Sequence, residues 1–273
     1  MIINRIYNKL RNLGKTRTVI VPIIKPVEAN KLLKGRCALI TGGSSGIGLA
    51  IAKAFLDAGC YVIICGSSKE KLSKALSDIG NDNVKSLQLD VKNVPELSNK
   101  LEEAKKLSLD NKIDILVNCA GLTQRGDIWD VTEELFDNIM NVNVKGMFFM
   151  SKLFAEYWIA EGIKGNILNI SSSSALKPAW GPYQMSKWAV KGMTIGLASK
   201  LCKHNIIVNA IAPGKTATPM MDKNETDDLY CPDQPLGRFE IPQEIGTLAV
   251  TMVSSGGIIM GDTVYATGGT GVF

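Results

Sequence analysis

The chain has 273 residues, 45% of them apolar, and a formal charge of +5 at neutral pH. A chain of that length can bury about three-quarters of its unfolded surface, which fits one compact α/β domain. One histidine, His204, excludes a histidine-rich zinc centre, and no run of ~18 apolar residues suits a spanning helix.

The charge is unevenly placed. Residues 1–34 carry eight basic residues against Glu28 alone, a net of +7, so the rest of the chain is close to neutral. Ile2, Ile3, Ile6, Leu10 and Leu13 recur at roughly helical spacing and give a basic amphipathic segment. Packing of this arm on its own domain or a neighbouring subunit is expected, with attachment to an anionic membrane surface as the alternative. No basic–aromatic pattern supports nucleic-acid binding. The reading divides the chain into an arm, 1–34, and a domain, 35–273.

The first strand-like run, Cys37–Thr41, leads into a turn with glycines at Gly42, Gly46 and Gly48, and an amphipathic helical run follows directly. Glycine lets the backbone turn sharply and approach a ligand, while a helix N-terminus offers free N–H groups to phosphate. An ordinary strand–helix turn would look similar. Further strand-like runs cover Tyr61–Cys65, Val84–Leu89, Ile113–Val117, Asn166–Ile170, Ile206–Ile211 and Thr263–Ala266. Seven apolar strands alternating with helical stretches predict a single Rossmann-type, doubly wound parallel sheet with helices on both faces. Ligands bind such sheets at the carboxyl ends of the strands. Thr41, Gly66, Asp90, Asn118, Ser171 and Pro213 fall at or just after those ends.

Tyr183 and Lys187 stand four residues apart in a helical stretch, so their side chains share one face. An ammonium beside a phenol favours phenolate, which suits the phenol to proton transfer near neutrality. Taken alone, the pair also matches ordinary helix surfaces. The six cysteines show no C-x-x-C spacing and several lie in apolar strands, so reduced core thiols are expected. Thr18–Ile24 is short and broken by Pro22, which argues against a secretory signal and for the cytoplasm.

From about residue 34 to 269 the chain resembles the short-chain dehydrogenase/reductases. The resemblance rests on Thr41–Gly48, Leu89-Asp90-Val91, Asn118-Cys119-Ala120-Gly121, Val142–Gly146, Asn169–Ser172, the Tyr183/Lys187 pair, Asn209–Gly214 and Pro235–Phe239, in family order. It implies hydride transfer between a carbonyl and a secondary alcohol, with Tyr183 as general acid/base. Lys187 would assist Tyr183 and bond the nicotinamide ribose. Ser172, or Ser173 as the fallback, would bond the substrate oxygen, and Asn143 would hold a water beside Lys187.

The same resemblance puts Gly42, Ser44, Ser45, Gly46, Ile47 and Gly48 at the pyrophosphate. Asp90 and Val91 would border the adenine, and Asn118, Ala120 and Gly121 the adenosine ribose. Pro213, Gly214, Thr216 and Thr218 would lie along the nicotinamide. Cys119 replaces the more usual second Asn, read as a packing change. The second strand ends without a carboxylate, and Ser67, Ser68 and Lys69 could bind a 2′-phosphate, so NADP is expected and NAD is the alternative. The small-molecule carbonyl or alcohol would meet Gln124, Arg125, Trp180, Gln184, Met185 and Lys215, under a lid in Met220–Asp233. Resemblance is nearest to 3-oxoacyl-acyl-carrier-protein reductases, with sugar or polyol dehydrogenases the alternative and a non-catalytic dinucleotide-binding protein the remote one. It further implies a homotetramer.

Overall fold

A computed structural model describes residues 31–255 and 257–271. The amphipathic segment of the arm therefore lies outside the described residues. Leu33 is wholly buried and its N–H donates to the carbonyl of Ala58, so core packing starts before Gly35.

Seven parallel strands form one sheet: β1 (Cys37–Thr41), β2 (Tyr61–Gly66), β3 (Val84–Gln88), β4 (Ile115–Asn118), β5 (Asn166–Ile170), β6 (Ile207–Pro213) and β7 (Thr263–Ala266). Their order is β3-β2-β1-β4-β5-β6-β7. The chain winds outward from β1 to β3, then returns to lay β4 beside β1, which opens a crevice at that reversal. The strands match the seven apolar runs, with ends differing by up to two residues.

Period-2 alternation sends β1 side chains to two separate cores. Ala38 and Ile40 pack under α1 (Gly46–Asp57), α2 (Lys69–Ile79) and α7 (Pro242–Ser254), through Ile51, Phe55, Leu72 and Ile245. Cys37 and Leu39 pack on the other face under α3 (Leu97–Leu107), α5 (Met147–Glu161) and α6 (Pro182–Leu201), through Leu101, Phe154, Trp158 and Ala198. Both faces are covered, as a continuously apolar parallel sheet requires. Gly246 makes the α1–α7 approach feasible, since a Cβ there would stand 2.8 Å from the carbonyl oxygen of Ala50.

The helix α4 (Glu133–Met140) runs through a π-helical turn, Asn141–Gly146, into α5. Such wide turns commonly mark functional sites because they re-aim side chains. Gly146 fits tightly beneath Val91, with a built Cβ only 2.8 Å from that residue's Cγ2. The turn thus lies against the chain just past β3 and points Asn143 toward the loop after β4.

Candidate active site

The glycine turn is shaped by steric necessity. Gly42 has φ +67 and its missing Cβ would lie 2.9 Å from the backbone of Ala120, so β1 and β4 approach here as only glycine allows. Thr41 ties the two strand ends together: its hydroxyl donates to the Val117 carbonyl and accepts from the N–H groups of Cys119 and Ala120, both at 3.1 Å. The helix α1 opens at Gly46 behind an extended Ser45 whose side chain caps nothing. Its first-turn N–H groups have no intrahelical acceptors, which leaves them open to an anionic ligand.

Gly48→Ala is therefore expected to weaken dinucleotide binding at least ~tenfold, through overpacking that costs about 1–3 kcal/mol. The added Cβ would meet the carbonyl oxygen of Gly42 at 2.3 Å, a backbone atom with nowhere to retreat. Fluorescence titration checks this, and a dissociation constant within twofold of wild type refutes it.

Across from this turn stand Tyr183 and Lys187, in the first two turns of α6. The Lys187 ammonium is buried, donates to the Ile170 carbonyl at 3.0 Å, and sits 5.6 Å from the centre of the Tyr183 ring. Tyr183 is anchored at both backbone groups. Its N–H donates to Gln124 Oε1 at 3.1 Å, and its carbonyl accepts from the Ser186 hydroxyl at 2.6 Å. Asn143 is wholly buried and bridges three elements: Nδ2 donates to the Leu122 carbonyl and to Ser186 Oγ, while Oδ1 accepts from the Leu122 N–H. The π-turn, the loop after β4 and α6 are thereby locked together.

A cavity of about 180 Å³ joins these parts, lined by Gly42, Ser45, Gly46, Ile47, Gly48, Cys119, Gly121, Leu122, Ile170, Ser171, Tyr183, Lys187, Thr218, Pro219 and Met220. A larger hollow, about 1420 Å³, lies at the amino ends of the strands among Arg36, Asp114 and Asn166. It holds none of the motif residues, so the smaller cavity is the candidate site.

The remaining sequence-derived residues divide. Ser172 is buried at the end of β5, and its Oγ accepts from the Ser174 N–H; the cavity wall is Ser171, whose hydroxyl donates to the Lys187 carbonyl. Asn118 turns its amide inward, to Ser151 and Asn169, so it offers the cavity no side-chain donor. Ser44 lies in the neighbouring cleft with Lys53, Lys71 and Lys74. Ser67 accepts from Gln88 through its carbonyl, while Ser68 caps α2 and donates to Glu70 at 2.8 Å. That bond holds the Glu70 carboxyl below its ordinary range. Asp90 accepts from the Lys92 N–H at the end of β3.

Thr218 lines the cavity, whereas Gly214 and Thr216 turn toward Glu240. Trp180 and Met185 are exposed, and Gln184 keeps a buried oxygen without a partner. Burial pushes the Cys119 thiol up to about 12 despite the nearby Lys187 ammonium, so it stays protonated and inert at neutral pH. The six cysteines are all free thiols. Leu122 and Pro219 carry no chemical signal in the sequence, and Ile170 and Met220, though within the Asn169–Ser172 motif and the segment Met220–Asp233, were not expected as walls of this cavity.

A phosphate-cradling turn facing a tyrosine–lysine pair across a strand-end cavity defines a nucleotide-dependent oxidoreductase. Comparison with known proteins agrees. The short chain dehydrogenase family model matches residues 36–229. The chain is 35% identical to 2-dehydro-3-deoxy-D-gluconate 5-dehydrogenase of Dickeya dadantii (strain 3937), over 87% of this chain and 96% of that protein. It is 34% identical to 3-oxoacyl-[acyl-carrier-protein] reductase of Thermotoga maritima, over 86% and 95%. Among solved structures, an actinorhodin polyketide ketoreductase with NADPH superposes with TM-score 0.79 at 27% identity, covering 87% of this chain and 98% of that one. The chain belongs to the short-chain dehydrogenase/reductase family and is an oxidoreductase acting on CH–OH or carbonyl groups.

Proposed function

We propose that the protein is an NADP(H)-dependent dehydrogenase interconverting a ketone and a secondary alcohol on a small polyhydroxylated substrate, a polyol or sugar acid. The carrying observation is that the two cations expected to meet the substrate are already paired with carboxylates. Arg125 pairs with Asp222 at 2.6 Å, and Lys215 with Asp233 at 3.1 Å. Exposed pairs of this kind add little stability, yet each cancels the field that would draw an acidic carrier protein. The buried Nε2 of Gln124, free of partners beside Tyr183, suits a hydroxyl-rich ligand. The gluconate-type relative favours the same reading.

A second reading has its own support. Leu122 and Met220 line the cavity and are exposed, which suits the acyl chain of a 3-oxoacyl thioester, the substrate class named for the Thermotoga relative. Turnover with NADPH of keto sugar acids, ketoses, 3-oxoacyl thioesters and simple ketones separates the two. The highest kcat/KM is expected with a polyhydroxylated ketone, and preference for the thioester overturns the assignment.

In the chemistry proposed, the dinucleotide supplies or accepts the hydride at its nicotinamide. Tyr183 gives the proton to the carbonyl oxygen in reduction and takes it back in oxidation. Lys187 holds positive charge beside that phenol and offers its remaining protons to the ribose. Ser172, its hydroxyl proton free because its oxygen serves as the acceptor, holds the substrate oxygen. Asn143 fixes the frame that carries them all. Glycines at 42, 46 and 48, with the open N–H groups of α1, fit a pyrophosphate.

For the cofactor's distinguishing phosphate, Lys53, Lys71 and Lys74 share a cleft with Ser44 and Ser45 and outnumber its two carboxylates, Asp78 and Glu225. This supports NADP over NAD. Ser67→Asp is expected to move the NADPH/NADH ratio of kcat/KM about tenfold or more toward NADH, by repelling the 2′-phosphate and accepting from a 2′-hydroxyl. An unchanged ratio rejects the placement. The apolar groove of Met140, Val144, Phe148, Met193 and Leu197 supports self-association as in the homotetramer implied by the family.

A further inference from the structure

We propose that Glu240 is a positioning residue for the bound dinucleotide, and that it holds the segment Gly214–Thr218 in its binding shape only while its carboxyl carries a proton. The proposal rests on the cofactor reading above. Glu240 is buried and grips this segment through both backbone and side chain. Its N–H donates to the Lys215 carbonyl at 2.9 Å, and its carbonyl accepts from the Ala217 N–H at 2.8 Å. Its Oε2 accepts from the Gly214 N–H at 3.0 Å and from the Thr216 hydroxyl at 3.4 Å. The next residue, Thr218, is a wall of the cofactor cavity and packs against Gly46, where a Cβ would lie 3.3 Å from its Cγ2. A shift at Glu240 therefore reaches the phosphate turn through one residue.

The other carboxyl oxygen raises the question of the proton. Glu240 Oε1 is buried without any partner. Gln234 Oε1 borders the same two glycines: the two oxygens lie 2.6 and 3.0 Å from the position a Cβ on Gly214 would take, and 3.4 and 3.5 Å from that on Gly268. Gln234 cannot simply flip its amide, because its Nε2 already donates to the Lys215 and Arg238 carbonyls and its Oε1 accepts from the Thr270 hydroxyl. Two acceptor oxygens border both glycine positions, and a carboxyl proton on Oε1 would supply the donor that neither has there.

Burial, opposed by the bonds from Gly214 and Thr216, raises the Glu240 carboxyl from 4.5 to about 7. The ionisable groups on the surrounding elements are few. Glu244 of α7 pushes the value further up, and Arg238, paired with Glu244, pulls it down. Lys215 is paired at the surface with Asp233, Cys231 is a buried thiol, and Tyr265 of β7 has a buried hydroxyl without a partner. The sign follows from linkage: a folded-state value above the unfolded one stabilises the fold fully below the unfolded value, and the gain is lost as pH rises through about 7.

The test uses the full chain, NADPH fluorescence titrations from pH 6 to 8.5, and melting of the cofactor-free protein, for wild type, Glu240→Gln and Glu240→Ala. If only the protonated form binds well, the wild-type dissociation constant rises at least ~fivefold across this range beyond any slope shared by all variants. Glu240→Gln keeps a donor for Gln234 and acceptors for Gly214 and Thr216, so it holds the low-pH affinity throughout. Glu240→Ala binds weakly at every pH, and if it fails to fold, the comparison of wild type with the Gln variant decides alone. Without cofactor, wild type loses melting temperature relative to Glu240→Gln between pH 5 and 8. Parallel pH profiles for wild type and Glu240→Gln in both measurements overturn the proposal while leaving the cofactor site intact. Failure of wild type to bind NADPH or NADH at any pH overturns the cofactor reading and this proposal with it.

Discussion

Replacing Tyr183 by Phe is expected to lower kcat at least ~100-fold, the scale of a lost general acid, with NADPH affinity within about twofold of wild type. The change removes one oxygen and leaves every observed anchor. The backbone N–H still donates to Gln124, the carbonyl still accepts from Ser186, and the ring still stands beside the Lys187 ammonium. The fold therefore has no reason to respond, and the loss falls on the proton-transfer step. Steady-state turnover beside a cofactor titration makes the measurement. Retention of more than about a tenth of wild-type kcat would remove Tyr183 from the chemistry.

The largest effect on stability is expected at the opposite end of the sheet. Trp158→Ala should cost about 3–5 kcal/mol. The indole is wholly buried, packs edge-to-face on Phe154 at 5.4 Å, and donates through Nε1 to the Ile113 carbonyl at 2.7 Å. Gly165 is shaped around it, since a Cβ there would lie 2.1 Å from the ring. Truncation leaves both a cavity and an orphaned carbonyl. Urea denaturation checks the value, and a loss below ~1 kcal/mol contradicts the packing described. Since Trp158 sits at the amino ends of the strands, the folded fraction should keep near-wild-type kcat.

How far the sequence could be read depended on the range of the signal. Strand periodicity and the glycine spacing are local, so the seven strands and the turn around Gly42–Gly48 were legible. The doubly wound sheet followed from alternation of strands and helices. Tyr183 and Lys187 were legible because a helix brings residues four apart together. Asn143 and Ser172 came only through the family resemblance, and their surroundings did not come at all. The bonds of Asn143 to Leu122 and Ser186 span 21 and 43 positions, and nothing in spacing predicts them. Gln124 was placed with the substrate, yet its oxygen supports the first turn of α6, a role set by where the loop after β4 lands. Arg125 and Lys215 were placed with the substrate, and their pairing with Asp222 and Asp233 has no local signal in the sequence. Glu240 gave no signal, since a lone carboxylate before a helix looks solvent-facing until the chain on its other side closes over it.

The central claim, a tyrosine-dependent oxidoreductase using NADP(H), is tested most directly by NADPH oxidation against the carbonyl panel, run with wild type and Tyr183→Phe in parallel. The account expects wild type to bind NADPH and turn over at least one polyhydroxylated ketone, with that turnover at least ~100-fold lower in the variant. NADPH binding with no turnover of any carbonyl, or equal turnover by both proteins, would contradict it.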